Sequence, residues 1–183
     1  MINQGFRKDQ FEIFYLSKEI ISNPLISKII DYFKYLRKED ILKKQDKGII
    51  SIGFGKRILI NGETYEYSNI RKEELIEVAD YDPIKNNLLI IGKNKPLMET
   101  PLHWMIHHAR TDVNCIVQIN NKKLINKKYP STEKDFKITT IEIIKEVMKK
   151  LKDSKIVILK NHGILFVGNS IKEVDDLIKK VKD

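Results

Sequence analysis

Gly48-Ile49-Ile50-Ser51-Ile52-Gly53-Phe54, followed by Arg57-Ile58-Leu59-Ile60 and the pair Asn61-Gly62, is the stretch on which the fold turns. β-Branched and aromatic residues dominate it, glycines interrupt it, and no helical spacing survives in it. It reads as strands Ile49 to Phe54, Arg57 to Ile60 and Thr64 to Tyr67, a meander with a hairpin at the Asn-Gly pair. Leu75 to Val78 and Leu88 to Ile91 follow as short strands around the turn-prone Asp80-Tyr81-Asp82-Pro83. On the N-terminal side, residues 6–37 read as two amphipathic helices. Phe11, Phe14, Tyr15, Leu16 and Ile20 line the first, Leu25, Ile29, Ile30, Phe33 and Leu36 the second, and Asn23-Pro24 breaks them.

On the C-terminal side, Thr100-Pro101 marks a helix start with threonine as cap, leading into Leu102 to Arg110. Val113 to Ile119 is apolar on both faces, so the pattern places it in the middle of a sheet. A helix over Thr140 to Leu151, strands at Lys155 to Leu159 and Ile164 to Val167, and a helix capped by Ser170 complete the chain. The expected architecture is α/β: a three-layer α/β/α sandwich around a largely antiparallel central sheet, one domain over residues 1–183 with N-terminal helices (residues 1–40) packing on it.

Composition agrees with a packed domain. The chain has 183 residues, 42% hydrophobic, and its longest aliphatic runs, Leu88 to Ile91 and Ile156 to Leu159, fall far short of a membrane span. Asp9, Gln10 and Glu12 stand where a secretory signal needs an apolar core, and the single cysteine cannot form an internal disulfide; both point to a cytoplasmic protein. The net charge of +9 invites a nucleic-acid reading. The cations are 29 Lys against 5 Arg, however, and 31 Ile stand beside 2 Ala, a joint bias of coding rather than of binding. Bidentate reading of bases and phosphates favours arginine, and the lysine clusters at Lys122 to Lys128 and Lys145 to Lys155 are short or interleaved with Glu142, Glu146 and Asp153. Nucleic acid is therefore an unfavoured partner, and no membrane is expected.

Four histidines supply the near-neutral titrating side chains. Glu99, His103 and His107 recur every fourth residue and would share a helix face able to hold a divalent metal, with His162 as a further ligand. The plainer reading makes His103 a core histidine and leaves His107 and His108 near the helix surface. His162, in Leu159-Lys160-Asn161-His162-Gly163, sits in a turn between two apolar strands, where it is either a site residue at a sheet end or an ordinary turn histidine.

Four blocks together resemble the class II aldolases and their adducin-type relatives, over roughly residues 45–180. They are Ile58-Leu59-Ile60 with Glu74-Leu75-Ile76-Glu77-Val78; Glu99-Thr100-Pro101-Leu102-His103; Arg110-Thr111-Asp112-Val113-Asn114-Cys115-Ile116-Val117; and Val157-Ile158-Leu159-Lys160-Asn161-His162-Gly163 with Val167-Gly168. The resemblance implies a zinc or similar ion held by a His-x-His pair on the central strand and a third histidine in the His-Gly turn. That metal drains charge from an enediolate while a glutamate moves the proton. Glu99 then matches the acid/base glutamate and His162 the third ligand, but the His-x-His pair falls on Gln118 and Asn120.

The family's phosphate loop departs as well. Its Gly-Asn-x-Ser segment is Gly48-Ile49-Ile50-Ser51, its threonine- and serine-bearing turn is reduced to Asn61-Gly62, and the two serines before the glutamate are Leu97 and Met98. The implied reading is a domain without a metal cofactor, acting as a non-catalytic binding or scaffold protein. The alternative is a divergent metal-independent lyase or epimerase that uses Glu99 and His162 on a small carbonyl or sugar substrate, with Gln118 and Asn120 as hydrogen-bond donors. A homo-oligomer, up to a tetramer, is the assembly the resemblance implies.

Overall fold

The computed structural model describes residues 11–125, 128–133 and 141–182. The start of the first expected helix (residues 6–10), part of the Lys122 to Lys128 cluster, and Thr140 lie outside them. Among the described residues, eight strands form one sheet: β1 (Glu12–Ser17), β2 (Lys47–Phe54), β3 (Arg57–Asn61), β4 (Leu75–Asp82), β5 (Asn87–Ile91), β6 (Cys115–Asn120), β7 (Ile156–Leu159) and β8 (Gly163–Gly168). Their order is β1-β5-β4-β3-β2-β6-β8-β7, antiparallel throughout except that β1 runs parallel to β5.

Four helices, α1 (Ile26–Lys38), α2 (Thr100–Ala109), α3 (Ile141–Lys150) and α4 (Ile171–Lys182), cover the two faces. The period-2 alternation of the strands sorts the core. Ile50, Ile52, Val117 and Ile119 turn toward Ile29, Phe33 and Leu36 of α1 and Ile178 of α4. The neighbouring residues Ile49, Ile58, Ile60 and Ile116 turn the other way, toward α2 and α3. The three-layer α/β/α sandwich around a largely antiparallel sheet is the architecture observed.

Three local expectations fail. Residues 11–20 do not form a helix: Glu12, Phe14 and Leu16 alternate in exposure with Ile13, Tyr15 and Ser17, and the segment joins the sheet as β1. Its aromatic and branched content fits both periods, and pairing with β5 decides between them. Asn61-Gly62 is not a hairpin turn. The β2–β3 reversal is at Gly55, whose φ is +61°, and Thr64 to Tyr67 forms no strand, so β3 pairs with β4 instead. The turn expected at Asp80 to Pro83 comes later, because β4 runs on to Asp82.

Candidate functional site

Helix α2 opens immediately after the polar-to-apolar switch at Glu99. Glu99 itself occupies the N-cap position, Thr100 is the first helical residue, and no side chain caps the end. Pro101 sits in the first turn, where its missing N–H costs nothing. This end of α2 rests on β2 and β6, whose antiparallel register sets Lys47 opposite Asn120, Ile49 opposite Gln118 and Ser51 opposite Ile116. Alternation therefore puts Lys47, Ile49, Ser51, Gln118 and Asn120 on one sheet face, the face α2 covers.

Glu99 is 3% exposed. A buried carboxylate needs a counter-charge, and Lys47 supplies it: its Nζ donates to Glu99 Oε1 at 2.6 Å and to Oε2 at 2.8 Å. Tyr67 stands close by, and burial, then the Glu99 charge, push its hydroxyl up to about 12, which keeps it protonated and able to donate. Lys47 and Tyr67 open onto a cleft of about 600 Å³, bordered also by Thr64, Lys95, Leu97 and Met98. Leu97 and Met98 thus make an apolar wall at the two positions where the resemblance expects serines. Ile49 lies apart, buried in the core beside Ile58, Ile60 and Trp104.

Gln118 is buried, and its Nε2 donates 3.1 Å to the backbone carbonyl of His162. Asn120, at the strand end, is exposed. His162 is half-buried in the turn between β7 and β8, and its N–H donates to the Leu159 carbonyl. Glycine follows it of necessity: Gly163 has φ +101°, and a Cβ there would lie 2.3 Å from the Ile119 carbonyl oxygen.

Two histidines of α2 converge on a serine of β2. The Ser51 hydroxyl lies 2.8 Å from His103 Nδ1 and 2.9 Å from His107 Nε2, donating to one ring and accepting from the other. Burial, reinforced by His107, drives His103 down to about 3; burial and then His108 bring His107 to about 4. Both rings are neutral near pH 7. The Gln118 amide is close enough to His103 to oppose that depression, yet neither His103 Nε2 nor Gln118 Oε1 closes a hydrogen bond. His108 is exposed and stacks on Trp104, with ring centroids 3.7 Å apart. Among the described residues no trio of histidine, cysteine or carboxylate side chains gathers at metal-binding distance, so His103, His107 and His162 do not assemble into one site.

Two positions that the resemblance places in a phosphate loop, Asn61 and Gly62, carry structure. Asn61 is fully buried, and its amide behaves as one more peptide unit of β3: Oδ1 accepts from Ile50 N–H at 2.8 Å and Nδ2 donates to the Gly48 carbonyl at 3.1 Å. Gly62 lies under the 94–95 backbone, where a Cβ would meet the Lys95 carbonyl at 2.3 Å. Lys47 is the residue sequence reasoning passed over. It directly precedes the decisive strand, and counting back by twos from Ser51 and Ile49 places it on the site face.

An antiparallel sheet between helix pairs, with a glutamate at the head of a helix and a His-Gly turn at the neighbouring strand end, defines an aldolase-type α/β domain. The chain belongs to the class II aldolase and adducin N-terminal domain family, whose sequence model matches residues 28–122, just over half of the chain. No curated protein matches the sequence. Among solved structures, an L-fuculose 1-phosphate aldolase is similar with a TM-score of 0.72 at 18% identity, covering 89% of this chain and 84% of that one. YgbL from Klebsiella pneumoniae is similar with a TM-score of 0.68 at 13% identity, over 86% and 84%. The N-terminal class II aldolase domain of a Thermoplasma acidophilum protein gives 0.63 at 13% identity, over 89% and 93%. At such identities the likeness is one of fold.

Proposed function

We propose that this chain is a small-molecule-binding domain on the class II aldolase fold that does not use the family's metal-assisted chemistry. The observation that carries the reading is the state of Glu99. The carboxylate at the acid/base position is buried, and both its oxygens are held by Lys47. A group engaged in that way is a structural ion pair rather than a proton carrier.

The donor set supports the same reading. Zinc takes thiolate, imidazole or carboxylate ligands. At the His-x-His positions stand Gln118, whose Nε2 is spent on the His162 backbone while its Oε1 closes no hydrogen bond, and Asn120, which faces solvent. The histidines that do lie near the site, His103 and His107, converge on Ser51. These residues do not fit a tetrahedral zinc site. The cleft of about 600 Å³ lies within the range of small-ligand sites, and Lys47, Lys93 and Lys95 line it together with Leu97 and Met98, which favours an anionic ligand with an apolar portion. The reading also carries a homo-oligomer, up to a tetramer, whose mass sedimentation would measure.

Elemental analysis of purified protein, with a screen for retro-aldol and epimerase turnover on small carbonyl and sugar substrates, tests the proposal. The expected result is substoichiometric metal and no turnover. Stoichiometric zinc or manganese, or turnover abolished in Glu99→Gln, overturns it. A second reading, the metal-independent lyase or epimerase, is favoured by one feature: Lys47 is one-third exposed and borders the cleft, so the pair has an opening toward a bound molecule. Turnover lost in both Glu99→Gln and His162→Gln would establish it.

A further inference from the structure

The cleft beside Lys47 has a charge balance as well as a size. Three ammonium groups border it, Lys47 from β2 and Lys93 and Lys95 from the segment that follows β5. Glu99 holds Lys47, whereas Lys93 and Lys95 are exposed and form no ion pair among the described residues. Their segment is fastened to the chain around Glu63. Asn94 Nδ2 donates to the Glu63 carbonyl at 2.7 Å and to the Glu74 carbonyl at 3.2 Å, and the Glu63 N–H donates to the Lys95 carbonyl at 2.9 Å. Against the three cations stand two carboxylates, Glu99 and, on the cleft border, Glu63, so among the described residues one positive charge is in surplus. Leu97 and Met98 supply the apolar wall, and Tyr67 is half-buried beside them. Tyr65 also borders the cleft, yet it is 107% exposed, so none of the described residues covers its ring.

We propose that this cleft selects a small aromatic monocarboxylate, its charge held by Lys93 and Lys95 and its ring laid against Tyr65, Leu97 and Met98. The inference rests on the reading of the chain as a small-molecule-binding domain without a metal, and it names the ligand class. A monoanion matches the surplus of one charge, whereas a phosphate dianion exceeds it. Leu97 and Met98 also offer no side-chain donor to the additional oxygens that a phosphate brings, and acceptors left without partners in a cleft cost affinity. Lysine ammoniums act as point charges, which suits a carboxylate that has no fixed fork to meet. The ring follows from Tyr65. An aliphatic acid would use the charge and the apolar wall alone, while a second π-system gains an offset-stacked or edge-to-face contact with the open tyrosine ring. Tyrosine gives that contact at little entropy cost, because only two torsions have to be fixed.

Amide NMR titration of the full chain to millimolar ligand tests this with four probes. They are 3-phenylpropionate, 3-phenylpropanol (no charge), hexanoate (no ring) and phenyl phosphate (a different anion). The expected result is saturable binding of 3-phenylpropionate, with shifts at residues 63–67 and 93–98, and affinities about tenfold weaker for each of the other three. Lys93→Met/Lys95→Met should weaken 3-phenylpropionate about tenfold and leave 3-phenylpropanol unchanged. Tyr65→Ala should weaken 3-phenylpropionate about threefold to tenfold and leave hexanoate unchanged. All three side chains are exposed, and melts equal to those of the parent show that the variants fold. No binding of 3-phenylpropionate overturns the proposal, as does equal affinity for the alcohol or for hexanoate, or Tyr65→Ala weakening both acids alike. Tighter binding of phenyl phosphate by metal-free protein overturns this ligand class and leaves the metal-free reading standing. The same preference in protein that carries stoichiometric metal overturns both.

Discussion

Replacing Lys47 by methionine keeps the length and most of the apolar volume of the side chain but leaves the Glu99 carboxylate buried without its counter-charge. At an effective dielectric constant of about 20, unit charges at the observed 2.6 Å attract by roughly 6 kcal/mol. Much of that only offsets the desolvation of Glu99, so the measurable quantity is the cost of breaking the pair, typically about 3–5 kcal/mol when the partner stays buried. Lys47 is 33% exposed and water can reach its end of the pair, which puts the expectation at the lower limit, about 3 kcal/mol. In a chain of this length that is a fall in Tm of about 6–12 °C. Urea unfolding at pH 7 of the parent, Lys47→Met, Glu99→Gln and Lys47→Met/Glu99→Gln closes a double-mutant cycle. The double variant, with two neutral groups of similar shape, should recover most of the loss. A Lys47→Met cost below about 1 kcal/mol, or a double variant no more stable than Lys47→Met, would refute the view that Glu99 is bound into the structure by Lys47.

Three further outcomes follow from the geometry. His103 and His107 are held in the folded state at about 3 and about 4, below the unfolded value of 6.5, so the unfolded chain takes up protons first as pH falls. Stability should therefore be full above pH 6.5 and decline below it with a slope approaching 1.4 kcal/mol per pH unit for each ring, down to its folded value. Urea midpoints at pH 7.5, 5.5 and 4.5 read this; an unchanged midpoint would remove the buried neutral pair, and His107→Gln should flatten the curve. Asn61→Ala removes two hydrogen bonds to β2 and leaves an Ile50 N–H and a Gly48 carbonyl unmet, at a cost of about 2–3 kcal/mol; faster amide exchange at Ile50 is the local signature. Gly163→Ala forces a Cβ against the Ile119 carbonyl at a φ that alanine disfavours, so a loss above about 2 kcal/mol is expected; a melt equal to that of the parent would show that the turn can move away from β6.

The central sheet was legible because its strands are apolar enough to read without partners. β2, β3 and β6 alternate or run continuously in isoleucine and valine, and the helix over residues 25–36 repeats at the helical period. Two kinds of feature were not legible. β1 carries a pattern that both periods tolerate, and only β5, some seventy residues away, decides it. Asn61-Gly62 has the composition of a hairpin turn, but the asparagine is used as a surrogate backbone unit and the glycine as clearance for a distant chain segment. Neither use leaves a local trace. In the site, Gln118 on the central strand and Leu97 and Met98 just before Glu99 could be placed from the order of the sequence. The partner of Glu99 could not, since Lys47 is 52 positions away in the chain and only the β2–β6 register and the start of α2 bring the two together.

A metal held by three ligands would perform two physical tasks at this junction: it would fasten the β6 end to the turn before β8, and it would place positive charge beside the buried glutamate. Both tasks have other performers in this chain. The Gln118 amide fastens β6 to the His162 backbone, and the Lys47 ammonium supplies the charge. Placing histidine at residue 118 alone would therefore add an imidazole and remove the fastening, while Lys47 would still repel an arriving cation. On the proposed reading, metal affinity should return only when the ligand pair is rebuilt at residues 118 and 120 and Lys47 is neutralised as well. Zinc titration of Gln118→His/Asn120→His with and without Lys47→Met separates the two contributions. Equal affinity in both backgrounds would show that the lysine charge does not oppose the metal.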